Sequence, residues 1–210
     1  MKMLSLSVAA CLIAAAAGGC ANQSATKADP MAMMSKMQEL GTPGPQHAML
    51  NRLVGSWNAE SKYWMEPGAQ PETSRGTMTM RSIMDGHYLQ GDYRGSYQMP
   101  GPDGKMMEKH FTGLMLWGYS NADKEYQSVW LDSDSTAIFD SEGRAGSDSR
   151  VIEMTGDGMG PDMAGNVVEQ KMWLKTTITS DDRFVQEFWG ECGGRPKFKT
   201  MEIVYTRSGR

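Results

Sequence analysis

The sequence predicts an all-β chain: a single antiparallel up-and-down β-barrel of about ten strands, preceded by one or two short helices. Three observations carry this. From Gly55 onward the chain alternates with period two, as a half-buried strand does: Trp57, Ala59, Ser61 and Tyr63 fall on one side, Asn58, Glu60, Lys62 and Trp64 on the other. About ten such runs follow one another, separated by turn residues. No long helix interrupts them, so parallel crossovers are excluded and the sheet should be antiparallel. Sequential strands expose two edges unless last meets first, and closure removes both. A two-sheet sandwich is the alternative.

The elements follow in order. Lys2 gives a positive start, Leu4–Ala17 is apolar, and Ala17-Gly18-Gly19 leads into Cys20. This is the pattern of a secretory signal peptide over 1–19, its apolar run shorter than the roughly 20 residues a membrane-spanning helix needs. The earlier Cys11 has too few apolar residues ahead of it to serve as the junction. Residues 21–29 are small and polar, a tether. Asp29-Pro30 reads as an N-cap with proline in the first turn, opening a short helix to about Leu40 that Gly41 stops; Pro43-Gly44-Pro45 then breaks the chain. A second short helix, about 46–53, places Met49, Leu50 and Leu53 on one side. The tether and first helix make up residues 20–44, and the barrel domain 45–210.

After the first strand, runs are predicted at 74–84, 87–97, 106–119, 125–132, 135–142, 148–155, 166–179, 183–190 and 198–207. Turns are expected at Asp85-Gly86, Gly101–Gly104, Asn121–Lys124, Glu142-Gly143, Gly156–Gly158, Ser180–Asp182 and Gly193-Gly194, with Gly156–Gly160 a glycine-rich loop. Lys, Glu and Asp occupy outward-looking strand positions, whereas a membrane-spanning barrel needs apolar residues there. The barrel is expected to be wet outside.

Composition limits the function classes. Without residues 1–19, 191 of the 210 residues remain, enough for one domain with a core. Those 19 carry Lys2 and no acid, leaving 20 basic against 25 acidic residues, net −5. That balance does not suggest nucleic acid. Cys20 and Cys192 are the cysteines left; with Cys20 acylated, Cys192 has no partner for a disulfide and reads as a surface thiol in a turn.

Pro45-Gln46-His47-Ala48-Met49-Leu50-Asn51-Arg52-Leu53-Val54-Gly55-Ser56-Trp57 resembles the opening signature P-x-H-x-x-L-x-x-L-x-G-x-W of the bacterial family called domain of unknown function 1579 (DUF1579). Gly86-His87-Tyr88-Leu89, Trp130-Leu131-Asp132, Ser141-Glu142-Gly143 and the ending Met201–Arg207 also match, so the resemblance covers about residues 45–207. It implies a lipocalin-like or fatty-acid-binding-protein-like barrel and no assigned activity. His87 stands where the family usually has Arg or Lys. Gly55-x-Trp57 is similar to the first-strand motif of lipocalins. That implies a glycine bend into the barrel, a tryptophan plugging its closed end, and a late arginine, here Arg207, clamped on the ring. The first 20 residues resemble a bacterial lipoprotein signal, which implies lipid on Cys20. Ala21 resembles outer-membrane sorting facing the periplasm.

Chemical motifs are sparse. His87 and His110 lie on neighbouring predicted strands and His47 opens the second helix, but no H-x-H or H-E-x-x-H spacing supports a metal or haem iron. Asp132-x-Asp134-x-Thr136 fails as a calcium loop, since Ala137 replaces the glycine and Gly143 the final glutamate. Thioethers cluster at Met31, Met33, Met34 and Met37 and at Met78, Met80 and Met84, and soft sulfur suits copper(I); methionine as adaptable apolar filler explains them more simply. No metal or cofactor is expected. Tyr126, Ser128, Trp130 and Asp132 share one strand face, so Asp132 could be a cavity carboxylate able to act as an acid or base, or simply end a strand. The leading expectation is a small apolar or amphipathic ligand in the lumen, lined by Trp57, Tyr63, Met78, Met80, Tyr93 and Trp130, with Asp132 or Tyr93 fixing one polar group. A solid-barrel envelope interaction protein and a barrel enzyme using Asp132 are the alternatives.

Overall fold

The computed structural model describes residues 29–209 except 163 and 193, and at Cys192 the backbone alone. The expected signal peptide (1–19), the lipidation site Cys20, the tether to residue 28 and the Cys192 thiol lie outside the described residues.

Two short helices come first. In α1 (Pro30–Gly41) the Asp29 carboxylate accepts from the Met31 N–H at 3.0 Å, capping an orphan donor. No residue of α1 is buried. Helix α2 (Pro45–Asn51) has no side-chain cap at Gly44; instead the Gly44 N–H donates to His47 Nδ1 at 3.0 Å. It buries His47 and Leu50, and Leu53 follows at 1 % exposure.

Ten strands follow: β1 (Gly55–Tyr63), β2 (Glu72–Ile83), β3 (Tyr88–Pro100), β4 (Met106–Ser120), β5 (Glu125–Asp132), β6 (Phe139–Ala145), β7 (Val151–Pro161), β8 (Val167–Ser180), β9 (Arg183–Cys192) and β10 (Phe198–Arg207). Each pairs antiparallel with its neighbours in sequence, and β1 closes on β10 with Trp57 opposite Arg207 and Tyr63 opposite Met201. The barrel is complete, with no sandwich and no free edge.

Burial follows the pleat. Inward positions on β1 are Trp57, Ala59, Ser61 and Tyr63, and the register carries that face to Met78 on β2, Tyr93 on β3 and Gly113 on β4. The two ends differ. At the end plugged by α2, inward side chains are fully buried: Trp57, Phe184, Leu89, Trp117, Tyr126 and Tyr205 are at 0–2 % exposure. Trp57 meets Phe184 edge-on at 4.8 Å between centroids, and Phe184 stacks on Tyr205 at 4.2 Å. At the opposite end, the hairpins β3–β4 and β7–β8 run out as long arms, and inward side chains there are only half-buried.

Two sequence expectations fail for one reason. Glu142-Gly143 lies inside β6, not in a turn, and Gly156–Gly160 is part of β7, not a loop. Strand β6 is correspondingly 139–145 instead of 135–142, and the chain reverses at 146–150. A Cβ on Gly143 would run into the Glu153 carbonyl, and one on Gly156 into the Asp140 carbonyl. These glycines let β6 and β7 approach closely, a use of glycine that reads in sequence like a turn. His87 also departs from expectation: it sits in the β2–β3 turn, before β3 begins.

Candidate ligand-binding site

The inner face is fully buried at the floor and half-buried toward the opposite end, the mouth. Trp57, Met78 and Met80, three of the expected lining residues, stand in the floor at 0–2 % exposure. Its underside is held by Arg207, whose guanidinium lies 4.2 Å from the Trp57 ring. Arg207 also donates to the carbonyls of Val54, Arg52 and Asp181 at 2.7–3.0 Å, and Trp57 Nε1 donates to Leu53 O at 2.9 Å. Gly55 makes room: its φ is +138°, and a Cβ there would strike Arg207 Nη1.

Tyr63, Tyr93, Trp130 and Asp132 belong to the mouth half. Tyr93, Phe111 and Trp130 form one cluster, with centroids 5.8 Å apart for Tyr93–Phe111 and 6.3 Å for each ring to Trp130. Tyr97 adds a fourth ring at 6.5 Å from Phe111. Glycines decide how these rings lie. The six-membered ring of Trp130 covers the inward side of Gly113, and the Tyr93 phenol covers Gly76 and Gly95, so that a Cβ at any of the three would meet a ring or backbone atom at 3.0 Å or less. A ring laid flat over a glycine lines the wall instead of crossing the lumen. Sequence reasoning missed Phe111 and these glycines; the inward series Phe111, Gly113, Met115, Trp117 on β4 was the available signal.

Beneath the rings lies a set of neutral polar groups. Ser61 is 1 % exposed, and its hydroxyl has no hydrogen-bond partner of normal geometry, although the Tyr93 phenol lies against it. Ser74 Oγ donates to Tyr63 OH at 3.3 Å, and Gln186 Nε2 reaches Thr176 Oγ1 at 3.4 Å. Burial pushes the phenols of Tyr93 and Tyr205 above the usual tyrosine range, and that of Tyr126 up to about 12.

Asp132 ends β5. Its two carboxylate oxygens accept from Trp130 Nε1 at 2.8 Å and from the Asp134 N–H at 2.9 Å, which fixes the indole against β4. At the rim, Asp134 pairs with Lys109 at 2.6 Å and accepts from Tyr97 OH.

The histidines do not converge on one another as a metal site. His110 is exposed on the outer face of β4. His47 and His87 have centroids 6.5 Å apart, but each is committed elsewhere. Burial holds His47 below its ordinary pKa; its Nδ1 accepts from Gly44 N–H. His87 presents Nε2 to Gly41 O at 2.8 Å and Nδ1 to Met84 O, and these two carbonyls raise its pKa. Among the described residues no group of three or more His, Cys, Asp or Glu could hold a metal ion. Met31, Met33, Met34 and Met37 are 57–73 % exposed on α1. Among the described residues, hollows also lie outside the lumen. One of about 360 Å³ runs along the outer wall of β3–β5 beside Asp92, Leu114 and Leu131. One of about 610 Å³ lies between the end of α1, the β2–β3 turn and β4–β5, beside His87, Tyr88 and Tyr119.

A closed ten-stranded antiparallel barrel with a tryptophan floor is a lipocalin-like barrel. The chain belongs to the family described as protein of unknown function (DUF1579), whose model matches residues 42–207. Its fold is similar to the crystal structure of Rv2717c from M. tuberculosis, with a TM-score of 0.54 and 14 % identity over 80 % of this chain and 100 % of that one. It is also similar to the S-type phycobiliprotein lyase CPES from Guillardia theta, with a TM-score of 0.50 and 10 % identity over 78 % of this chain and 92 % of that one. These likenesses are of fold. No curated protein matches the chain.

Proposed function

We propose that the protein binds a small apolar or amphipathic ligand in the mouth half of its barrel. The carrying observation is the asymmetry of the lumen. Its floor is fully packed, while Tyr63, Phe111, Trp130, Leu174, Phe188 and Met201 remain half-buried on inward positions, although a sealed core would bury them. Apolar surface left within reach of solvent inside a cup is covered when a ligand enters. In this reading Trp57, Met78 and Met80 support the site from below, Tyr63, Tyr93 and Trp130 contact the ligand, and Asp132 holds the Trp130 indole. The likeness to a phycobiliprotein lyase fold is compatible with a small-molecule partner.

We further propose that the barrel works in the bacterial envelope, exported by residues 1–19 and anchored to the outer membrane, facing the periplasm, through lipid on Cys20. The sequence of that segment supports this reading.

Native mass spectrometry of the protein purified from its own envelope tests the first proposal. A co-purifying small molecule, lost from a Trp130→Ala variant that still melts cooperatively, is the expected result. Ligand-free protein from every growth condition, with no apolar probe quenching its tryptophans, would remove the reading. For the anchor, radiolabelled palmitate should enter the wild-type chain and not Cys20→Ala.

A further inference from the structure

The geometry points to a cargo whose buried end is uncharged: an amphipathic molecule with a hydroxyl or carbonyl head, accepted in preference to the same molecule ending in a carboxylate. This rests on the lumen being the binding site, as proposed above.

Charge is scarce on the inward face. Among the described residues above the Trp57 floor, the inward register of the ten strands carries aromatic, thioether, aliphatic, hydroxyl, amide and glycine positions. One cation, Lys109, stands on that register. It is at the rim, opposite Tyr97, and is bound to Asp134 at 2.6 Å. Arg207 is on the inward register too, but lies under the floor with its N–H groups given to backbone carbonyls. The charges nearer the mouth are the carboxylates of Asp132 and Glu72. An anionic head drawn into this cup would lose its hydration and find no free cation, an arrangement buried charges avoid.

A neutral head has a place waiting. The Ser61 hydroxyl is buried and inward and makes no hydrogen bond of normal geometry, with the Tyr93 phenol lying against it and the Ser74–Tyr63 pair along the same wall. Buried hydroxyls without partners are rare in folded proteins, and each marks a place where a partner fits. The set offers both donors and acceptors with no net charge, which suits a hydroxyl or carbonyl oxygen. Burial raises the Tyr93 and Tyr205 phenols, and at Tyr93 the Ser61 hydroxyl acts against it.

All-trans-retinol and all-trans-retinoate share a ring and polyene and differ at the head, so they separate charge from shape. Quenching of the protein's tryptophans at pH 7.4 should give retinol at least tenfold tighter binding. That preference should persist in 0.5 M NaCl, where screening acts beyond about 4 Å, because it originates in desolvation and not in the net charge of the chain. Ser61→Ala should weaken retinol by about three- to tenfold, the worth of one hydrogen bond, with an unchanged melting temperature. Retinoate binding as tightly as retinol, or a preference that vanishes in salt, overturns the inference and leaves the lumen reading intact. Retinol held equally well by Ser61→Ala removes the hydroxyl from the site. Neither retinoid binding overturns the lumen reading itself.

Discussion

The Arg207 guanidinium lies 4.2 Å from the Trp57 ring and donates to three backbone carbonyls from two separate links, the α2–β1 connection and the β8–β9 turn. A planar fork with five donors can do both; a lysine ammonium cannot. Arg207→Ala should therefore cost about 2–3 kcal/mol, combining a cation–π contact with charge-assisted hydrogen bonds, and Arg207→Lys should recover less than half. Urea midpoints measure both, and a loss below about 0.5 kcal/mol would be at odds with a clamp. The two histidines near α2 give opposite pH slopes. His87 is raised, so its contribution is complete below the unfolded value of 6.5 and lost as pH rises through its folded value. His47 is lowered, so its contribution is complete above 6.5 and lost as pH falls through its folded value. Between pH 5 and 8.5 the melting temperature should peak near 6.5. His87→Gln should flatten the alkaline side and His47→Asn the acid side; a His87→Gln curve parallel to wild type would contradict the double carbonyl contact.

Strands β6 and β7 meet where Gly143 faces Met154 and Gly156 faces Met172 across the neighbouring pairing. At Gly143 an added Cβ meets backbone, which cannot rotate away, so Gly143→Ala should destabilise by about 1–3 kcal/mol. Gly146, three residues on, has nothing within 4 Å of its Cβ position, and Gly146→Ala should stay within about 0.5 kcal/mol. Equal effects at the two positions would mean that close strand approach is not what Gly143 supplies. The same pair shows what sequence can and cannot convey about an element. The strand runs 106–119, 125–132 and 198–207 were readable to within a residue, because alternation and flanking turns agreed. The stretch 135–160 was not, because glycine serves both turns and tight strand contacts, and only the partner strand tells which. Helix α1 was readable from Asp29-Pro30 and Gly41, but its lack of burial was not. A chain beginning at residue 43 should still unfold cooperatively, since removing α1 uncovers no core, but it should lose part of the alkaline pH slope with the Gly41 carbonyl that His87 contacts.

Over the whole molecule, ring closure was legible because ten antiparallel runs with one apolar face have to resolve two edges. The Trp57–Arg207 contact was legible through the motif that implied it. The division into floor and mouth was not, because Trp57, Met78 and Tyr93 carry the same period-two pattern, and depth in the barrel depends on how far each strand runs past its neighbours. That division has a dynamic consequence. Floor residues such as Phe184 and Tyr205 are fully buried among stacked rings, so their amides should exchange only on global unfolding. The arms β3–β4 and β7–β8 extend beyond the other strands, with Met106, Met107, Met159 and Val167 exposed at 48–71 %, so they can open locally. Hydrogen exchange should be slower at 184 and 205 than at 98, 107 and 168 by about two decades in rate, on the order of 3 kcal/mol of opening free energy. A ligand held in the mouth raises the free energy of global unfolding and also has to be released before the arms open, so retinol should slow exchange at 98, 107 and 168 together with exchange at 184 and 205. Protection that rises at 184 and 205 but not in the arms would place the ligand outside the cup, and uniform protection without ligand would mean that the barrel opens as one unit and has no mouth.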